Sequence, residues 1–272
     1  MSDSAIVKQL QLWIRYELSA STTRTSDEQS TLFDRLIDRF RVEIDEAPCS
    51  TLVEMKRRST TNKGRYFEHL ALLFLQHAEL PSLRVRRVWL LADLPVDLRN
   101  QLHLGNGDAK QKQDVGIDLV LEQEDGQYSA VQCKYRTRSR SQRRATNVTW
   151  KQLSTFYSLC QRTGPWAHYI VFTNCRSVSR QGQQRLPQDY TIAYQRLSHT
   201  PRTTWIKLAG LPSGVRLGES MAQQTQEGEI KMNANMNSEP NLAKLSQQDL
   251  RRLRCAYFDS KKCVEMKSTE KI

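Results

Sequence analysis

The run Gly116-Ile117-Asp118-Leu119-Val120 is followed, after Glu124-Asp125-Gly126, by Gln132-Cys133-Lys134, which predicts a β-hairpin over about 117–123 and 127–135. The turn decides which side chains share a face. A two-residue loop at Asp125-Gly126 pairs Asp118 with Cys133 and sends Asp118 to the face opposite Gln132 and Lys134. A three-residue loop, Glu124-Asp125-Gly126, pairs Gln123 with Gln127 and therefore Asp118 with Gln132. Side chains alternate along a strand, so only the second register gathers an acid, an amide and a lysine on one face. Gly126 at the third loop position suits the left-handed residue of that turn.

Around the hairpin the periodicities alternate between helix and strand. Ile6, Leu10, Trp13 and Ile14, then Phe33, Leu36, Ile37 and Phe40, recur at helical spacing, with the Ser/Thr-rich stretch 19–25 between them. They predict an N-terminal helical hairpin ending near Pro48. A third helix is expected from a cap near Thr61-Asn62 through Tyr66, Phe67, Leu70, Leu73 and Phe74 to His77. Residues 84–91 read as a strand, and 95–113 as a long polar loop. A helix over 149–162 follows, carrying Trp150, Leu153, Phe156 and Tyr157. The run Tyr169-Ile170-Val171-Phe172 suits a strand buried on both faces, and 191–194 a further short strand. Beyond about Gly214 the chain is rich in Gln, Asn, Met, Ser and Glu and nearly free of aromatics, the composition of a flexible tail, with one helix possible over 245–258.

The expected organisation is an N-terminal helical extension (1–58), an α/β domain (59–212) and a mostly disordered tail (213–272). No apolar run is long enough to span a bilayer, and the N-terminus lacks the apolar core of a signal peptide. The six cysteines contain no C-x-x-C pair, which argues against a structural zinc site or a disulfide framework and for a reducing compartment. A cytoplasmic location is expected, or a nuclear one if the source is eukaryotic. No phosphate-binding G-x-x-x-x-G-K-[ST] loop is present.

Charge narrows the partners. The net charge is +12, and residues 134–216 hold 15 Lys/Arg against a single acid, Asp189. The rest of the chain is slightly acidic, with 26 basic and 28 acidic residues. An excess confined to one stretch that begins at Lys134 fits a polyanion-binding face. No basic amphipathic helix accompanies it, so nucleic acid is favoured over a membrane surface.

Hydrolysis of a phosphodiester requires a cation on the phosphoryl oxygens, a positioned water and charge compensation at the leaving oxygen. Asp118 is the obvious first ligand for Mg²⁺, which prefers carboxylate, amide and carbonyl oxygens. Gln132 can add a neutral oxygen, and Lys134 can orient or deprotonate the water. The five histidines form no ligand spacing, and Trp150, Phe156 and Tyr157 read as core.

With these residues in this order, the chain resembles the restriction-endonuclease-like, or PD-(D/E)XK, nuclease superfamily, most closely its Mrr-like branch, in which glutamine often replaces the middle glutamate. The resemblance covers about residues 60–195. It is carried by Lys63-Gly64-Arg65-Tyr66-Phe67-Glu68, Gly116-Ile117-Asp118, Gln132-Cys133-Lys134-Tyr135, Trp150-Lys151-Gln152-Leu153 and Ile170-Val171-Phe172-Thr173-Asn174. The motif's proline is absent. The resemblance implies a mixed central sheet flanked by helices, with Glu68, Asp118, Gln132 and Lys134 as catalytic residues. It also implies metal held by Asp118, Glu68 and the backbone carbonyl of Cys133, with Gln152 as a supporting polar residue; by charge counting, a second ion would need substrate phosphate or help from Asp114. Two carboxylates balance one divalent ion, so one firmly held Mg²⁺ is expected, with Mn²⁺ as a substitute. DNA is the implied partner, gripped by Arg136, Arg138, Arg140, Arg143, Arg144 and Lys151. Paired cuts on a duplex would call for a homodimer, and the N-terminal helices or the tail are candidate docking sites for a protein partner. Two alternatives stay open: a catalytically weak or inactive DNA-binding module of the same fold, and an RNA-cleaving relative.

Overall fold

The computed structural model describes residues 2–23, 30–45, 51–105, 116–137, 147–179 and 185–212. The chain divides into two units, Met1–Gly218 and Glu219–Ile272, and the expected helix over 245–258 lies outside the described residues. The first unit opens with three helices, α1 (Asp3–Thr23), α2 (Leu32–Asp45) and α3 (Leu52–His77). Strand β1 (Val85–Leu90) and a short helix α4 (Val96–Gln101) precede the hairpin strands β2 (Leu119–Gln123) and β3 (Tyr128–Lys134). There follow β4 (Val148–Thr149), α5 (Ser154–Cys160), β5 (His168–Thr173) and β6 (Val178–Ser179). The unit closes with β7 (Asp189–Ile192), α6 (Tyr194–Ser198) and α7 (Arg202–Leu208).

Five strands form one mixed sheet in the order β1-β2-β3-β5-β7, while β4 and β6 pair separately. β1, β2 and β3 are antiparallel neighbours; β3, β5 and β7 run parallel. The alternation of the strands separates two apolar layers. Leu119, Leu121, Val131, Ile170 and Phe172 face one layer with Ile14, Phe40, Phe67, Phe74 and Trp205. Val120, Ala130 and Val171 face the other, with Leu98, Leu153, Phe156 and Trp166. Phe172 is fully buried, with ring centroids 5.2 Å from Phe67 and 5.6 Å from Phe74, which helps to seat α3 on the sheet across β1 and β3. Helices α1 and α2 share this same core through Trp13, Phe40 and Tyr66.

Three expectations are corrected. α3 begins at Leu52, well before Thr61-Asn62, because residues 52–58 are good helix formers and no Gly or Pro interrupts the run. The supposed loop after Pro95 holds α4, whose Leu98 is buried with Leu94 and Leu102 at helical spacing; Pro95 stands at its N-cap. The predicted helix at 149–162 starts as a 3-10 turn over Trp150–Leu153 before α5.

The hairpin has the bulged three-residue turn. Leu119 pairs with Val131 and Leu121 with Ser129, Gln123 N–H donates to the Gln127 carbonyl at 2.8 Å, and Gly126 has φ +80°. The paired ladder ends at Leu119–Val131, and just beyond it Asp118 meets Gln132 through its side chain.

Candidate functional site

The carboxyl ends of β1, β3, β5 and β7 lie along one edge of the sheet, together with the amino end of the antiparallel β2. Asp118 enters β2 at that edge, and Lys134 leaves β3 there. The backbone of Asp118 is fixed from both sides: its N–H donates to the Val131 carbonyl at 2.8 Å, and its carbonyl accepts from Leu91 N–H at 2.8 Å. The preceding Gly116, at φ +82°, lies against the start of α5, where an added Cβ would stand 3.1 Å from Phe156 N and 3.2 Å from its Cα. Both neighbours are backbone, and an L side chain is strained at this φ. Gly116→Ala is therefore expected to cost about 1–3 kcal/mol and to displace Asp118. Gly126→Asn serves as the control, since a Cβ there meets nothing within 4 Å and Asn tolerates the left-handed region. Urea melts of both variants check this; equal stability losses would sink it.

The Asp118 carboxylate is held by two donors. Its Oδ2 accepts from Gln132 Nε2 at 2.6 Å and from Cys133 N–H at 2.6 Å. Continued in register, the ladder would give the Cys133 N–H to the Ile117 carbonyl; the carboxylate takes that place. Gln132 is 2 % exposed and is oriented by this contact, while Asp118 and Lys134 are half-buried. Gln132 thus reaches Asp118 through its amide nitrogen.

Glu68 approaches from elsewhere. Cys133 and Tyr135 pack on the layer that contains α3, which leaves Gln132 and Lys134 for the opposite face. Glu68 is half-buried on α3 and so comes to the sheet edge from the Cys133 side. The Cys133 thiol registers the group: burial pushes its pKa well up, Asp118 and Glu68 push it further, and Lys134 opposes them. Three of the expected site charges are therefore felt at one thiol.

The other expected residues divide. Gln152 is exposed and completes a capping box, its side chain accepting from Thr149 N–H at 3.1 Å. Lys151 is exposed on the same turn. Arg136 is described and anchored through its backbone, whereas Asp114, Arg138, Arg140, Arg143 and Arg144 lie outside the described residues. Asp189, the one acid of the basic segment, is buried and accepts from Leu186 N–H at 2.7 Å, so it does not spoil a polyanion-binding surface. Lys63, quoted in the α3 motif without a role, is 3 % exposed; a lysine four residues before the core residue Phe67 was the available signal of its burial.

Among the described residues, no three His, Cys, Asp or Glu side chains form a group that could hold a metal ion. A cation here would draw on two carboxylates, with backbone and amide oxygens and substrate phosphate completing the shell. That all-oxygen donor set fits a hard divalent ion such as Mg²⁺, which keeps several waters and rarely has an all-protein cage.

A mixed sheet covered on both faces gathers acid, amide and lysine at one edge. Residues 79–203 match the family model described as "Restriction endonuclease". The matched stretch contains Asp118, Gln132, Cys133 and Lys134, and it begins after α3, so Glu68 lies outside it. Comparison with curated proteins finds no match. Among the described residues no helix is long and apolar enough to cross a membrane.

Proposed function

We propose that the protein is a Mg²⁺-dependent endodeoxyribonuclease of the Mrr-like kind, with Mn²⁺ able to substitute. The observation that carries this reading is the Asp118 carboxylate, fixed at the sheet edge by Gln132 and the Cys133 N–H, with Lys134 two residues along the same strand. Asp118, Glu68 and the Cys133 carbonyl would hold the ion, which when bound supplies charge neutralisation at the phosphoryl oxygens and acidifies water. Gln132 keeps Asp118 oriented. The Lys134 ammonium orients the attacking water and the scissile phosphate, and its amine form can take the water's proton. Arg136, Lys151 and the arginines of 138–144 would bind backbone phosphates.

Supercoiled plasmid and linear duplex, incubated with the full chain in Mg²⁺, Mn²⁺ or EDTA, test this directly. Cleavage is expected with either ion, none with EDTA, and a loss of roughly a hundredfold or more in Lys134→Met. Cleavage that persists in EDTA or in the variant would refute the assignment.

One observation favours a second reading, a DNA-docking module of the same fold. The Asp118 carboxylate is engaged by Gln132 Nε2 and the Cys133 N–H, contacts that also suit a purely structural role. Calorimetric titration with Mg²⁺ and Mn²⁺ separates the two, because a docking module would give no metal binding that depends on Asp118. RNA in place of duplex DNA in the same assay shows which polymer is cut.

A further inference from the structure

Beyond Lys134, β3 loses its backbone ladder, and side chains of β5 continue it. Lys134 pairs with Thr173 in the parallel register, and Thr173 Oγ1 donates to the Lys134 carbonyl at 2.7 Å while accepting from Cys175 N–H at 3.1 Å. Asn174 then pairs with residue 136 on both of its backbone groups. Its Oδ1 accepts from Arg136 N–H at 2.8 Å, and its Nδ2 donates to the Arg136 carbonyl at 2.7 Å. Asn174 and Thr173 are both 0 % exposed. The far side of this frame is tied down too, since the Cys175 carbonyl accepts from Tyr194 N–H at 2.8 Å.

Burying an amide is costly unless all of it is paired, and this one is paired entirely to the backbone of one residue. An amide that matches a peptide group in this way acts as one more rung of the ladder. The strand direction is kept: Tyr135 packs on the α3 layer, its ring 5.5 Å from Phe67, so Arg136 falls on the face that carries Gln132 and Lys134. Cys175, buried in the layer opposite α3, has its thiol pKa raised by burial, with the Thr173 hydrogen bond and the Arg136 charge opposing that. Two strand residues span about 7 Å, comparable to the separation of neighbouring phosphates on one nucleic-acid strand.

Resting on the nuclease reading above, we propose that Asn174 is a positioning residue that fixes Arg136 as a contact for the phosphate next to the scissile one. Thr173 does the same for the carbonyl of Lys134. Arg136 is then held in line with Lys134 and Asp118.

The test is a double-mutant cycle on duplex DNA binding by the full chain without metal, followed by fluorescence anisotropy across a salt series. Arg136→Ala is expected to weaken binding about fivefold and to lower the salt slope by about 0.9, the value of one phosphate contact. Asn174→Ala should show the same two losses, and the double variant should lose little more than either single one. Additive losses, or an Asn174→Ala protein that binds with unchanged slope, would overturn the proposal while leaving the nuclease reading in place. A wild-type chain that binds neither duplex DNA nor RNA at low salt would overturn both. If Asn174→Ala does not fold, Asn174→Asp replaces it in the cycle, keeping the acceptor for Arg136 N–H and losing the donor to its carbonyl. Hydrogen exchange of the wild type reads the pairing by itself: the Arg136 amide is expected to be protected, and exchange as fast as in an exposed segment would refute the splint.

Discussion

Replacing Asp118 with asparagine should abolish metal-dependent cleavage, by on the order of a thousandfold in kcat/KM, while the protein remains folded. The side chain keeps its size, and its Oδ1 can still accept from Cys133 N–H, the donor that the carboxylate holds at 2.6 Å. What disappears is one of the two negative charges available to a cation. Glu68 alone cannot balance a divalent ion in a half-buried site, so metal affinity and transition-state charge compensation fall together. The stability effect is expected to stay within about 1–2 kcal/mol, since one neutral hydrogen bond replaces two charge-assisted ones. Initial rates of plasmid nicking at several Mg²⁺ concentrations, with a thermal melt of each protein, check both halves. An asparagine variant that cuts within tenfold of the wild type would remove Asp118 from the centre of the site.

Much of this centre was legible because strand pairing is arithmetic. Gly126 in a three-residue turn forces the sum of paired positions, the observed Leu119–Val131 pairing has that sum, and Asp118, one residue outside the ladder, meets Gln132 through its side chain. The buried strand at 168–173 was legible for a similar reason, as its apolar run had no polar alternation to offer solvent. Side-chain-to-backbone pairing leaves no such trace. Thr173 and Asn174 look like the polar end of a strand, and only their position beside residues 134 and 136 makes them a continuation of the ladder. α4 escaped because Leu94, Leu98 and Leu102 are separated by polar residues in a segment dominated by turn formers. The extent of α3 was hidden by Thr61-Asn62, which look like a cap but sit inside a longer helix whose packing overrides that local preference. Helical spacing alone could not say from which face of the sheet Glu68 approaches. That follows from β3, whose Cys133 turns toward α3 while its neighbours turn away.

Gln132→Glu should make the fold depend on metal. In the wild type the Gln132 amide nitrogen meets Asp118 Oδ2 at 2.6 Å, an attractive contact at a site only 2 % exposed for the glutamine. A glutamate of the same length would bring a second carboxylate to that position, with no donor between the two. The metal-free variant can respond by holding a proton on one carboxylate, which raises its pKa, or by moving the side chains apart. Either response costs stability, about 2–4 kcal/mol in metal-free buffer at neutral pH. Protonation becomes easier as pH falls, so the deficit should shrink toward acidic pH and be full where both carboxylates are ionised. A divalent cation removes the conflict from the other direction, because the variant offers an additional negative ligand. Binding to the folded state alone stabilises by RT ln(1 + [L]/Kd), so the melting temperature of the glutamate variant should climb steeply with Mg²⁺ or Mn²⁺. The wild type should respond far more weakly, having Gln132 to satisfy Asp118 without an ion. Thermal melts of both proteins across a metal titration, at neutral pH and near pH 5, give the comparison. Equal stability of the two proteins in EDTA, or parallel metal responses, would show that Gln132 is not what holds Asp118 in place. The opposite result would make glutamine at this position the reason that the site is assembled before any cation arrives.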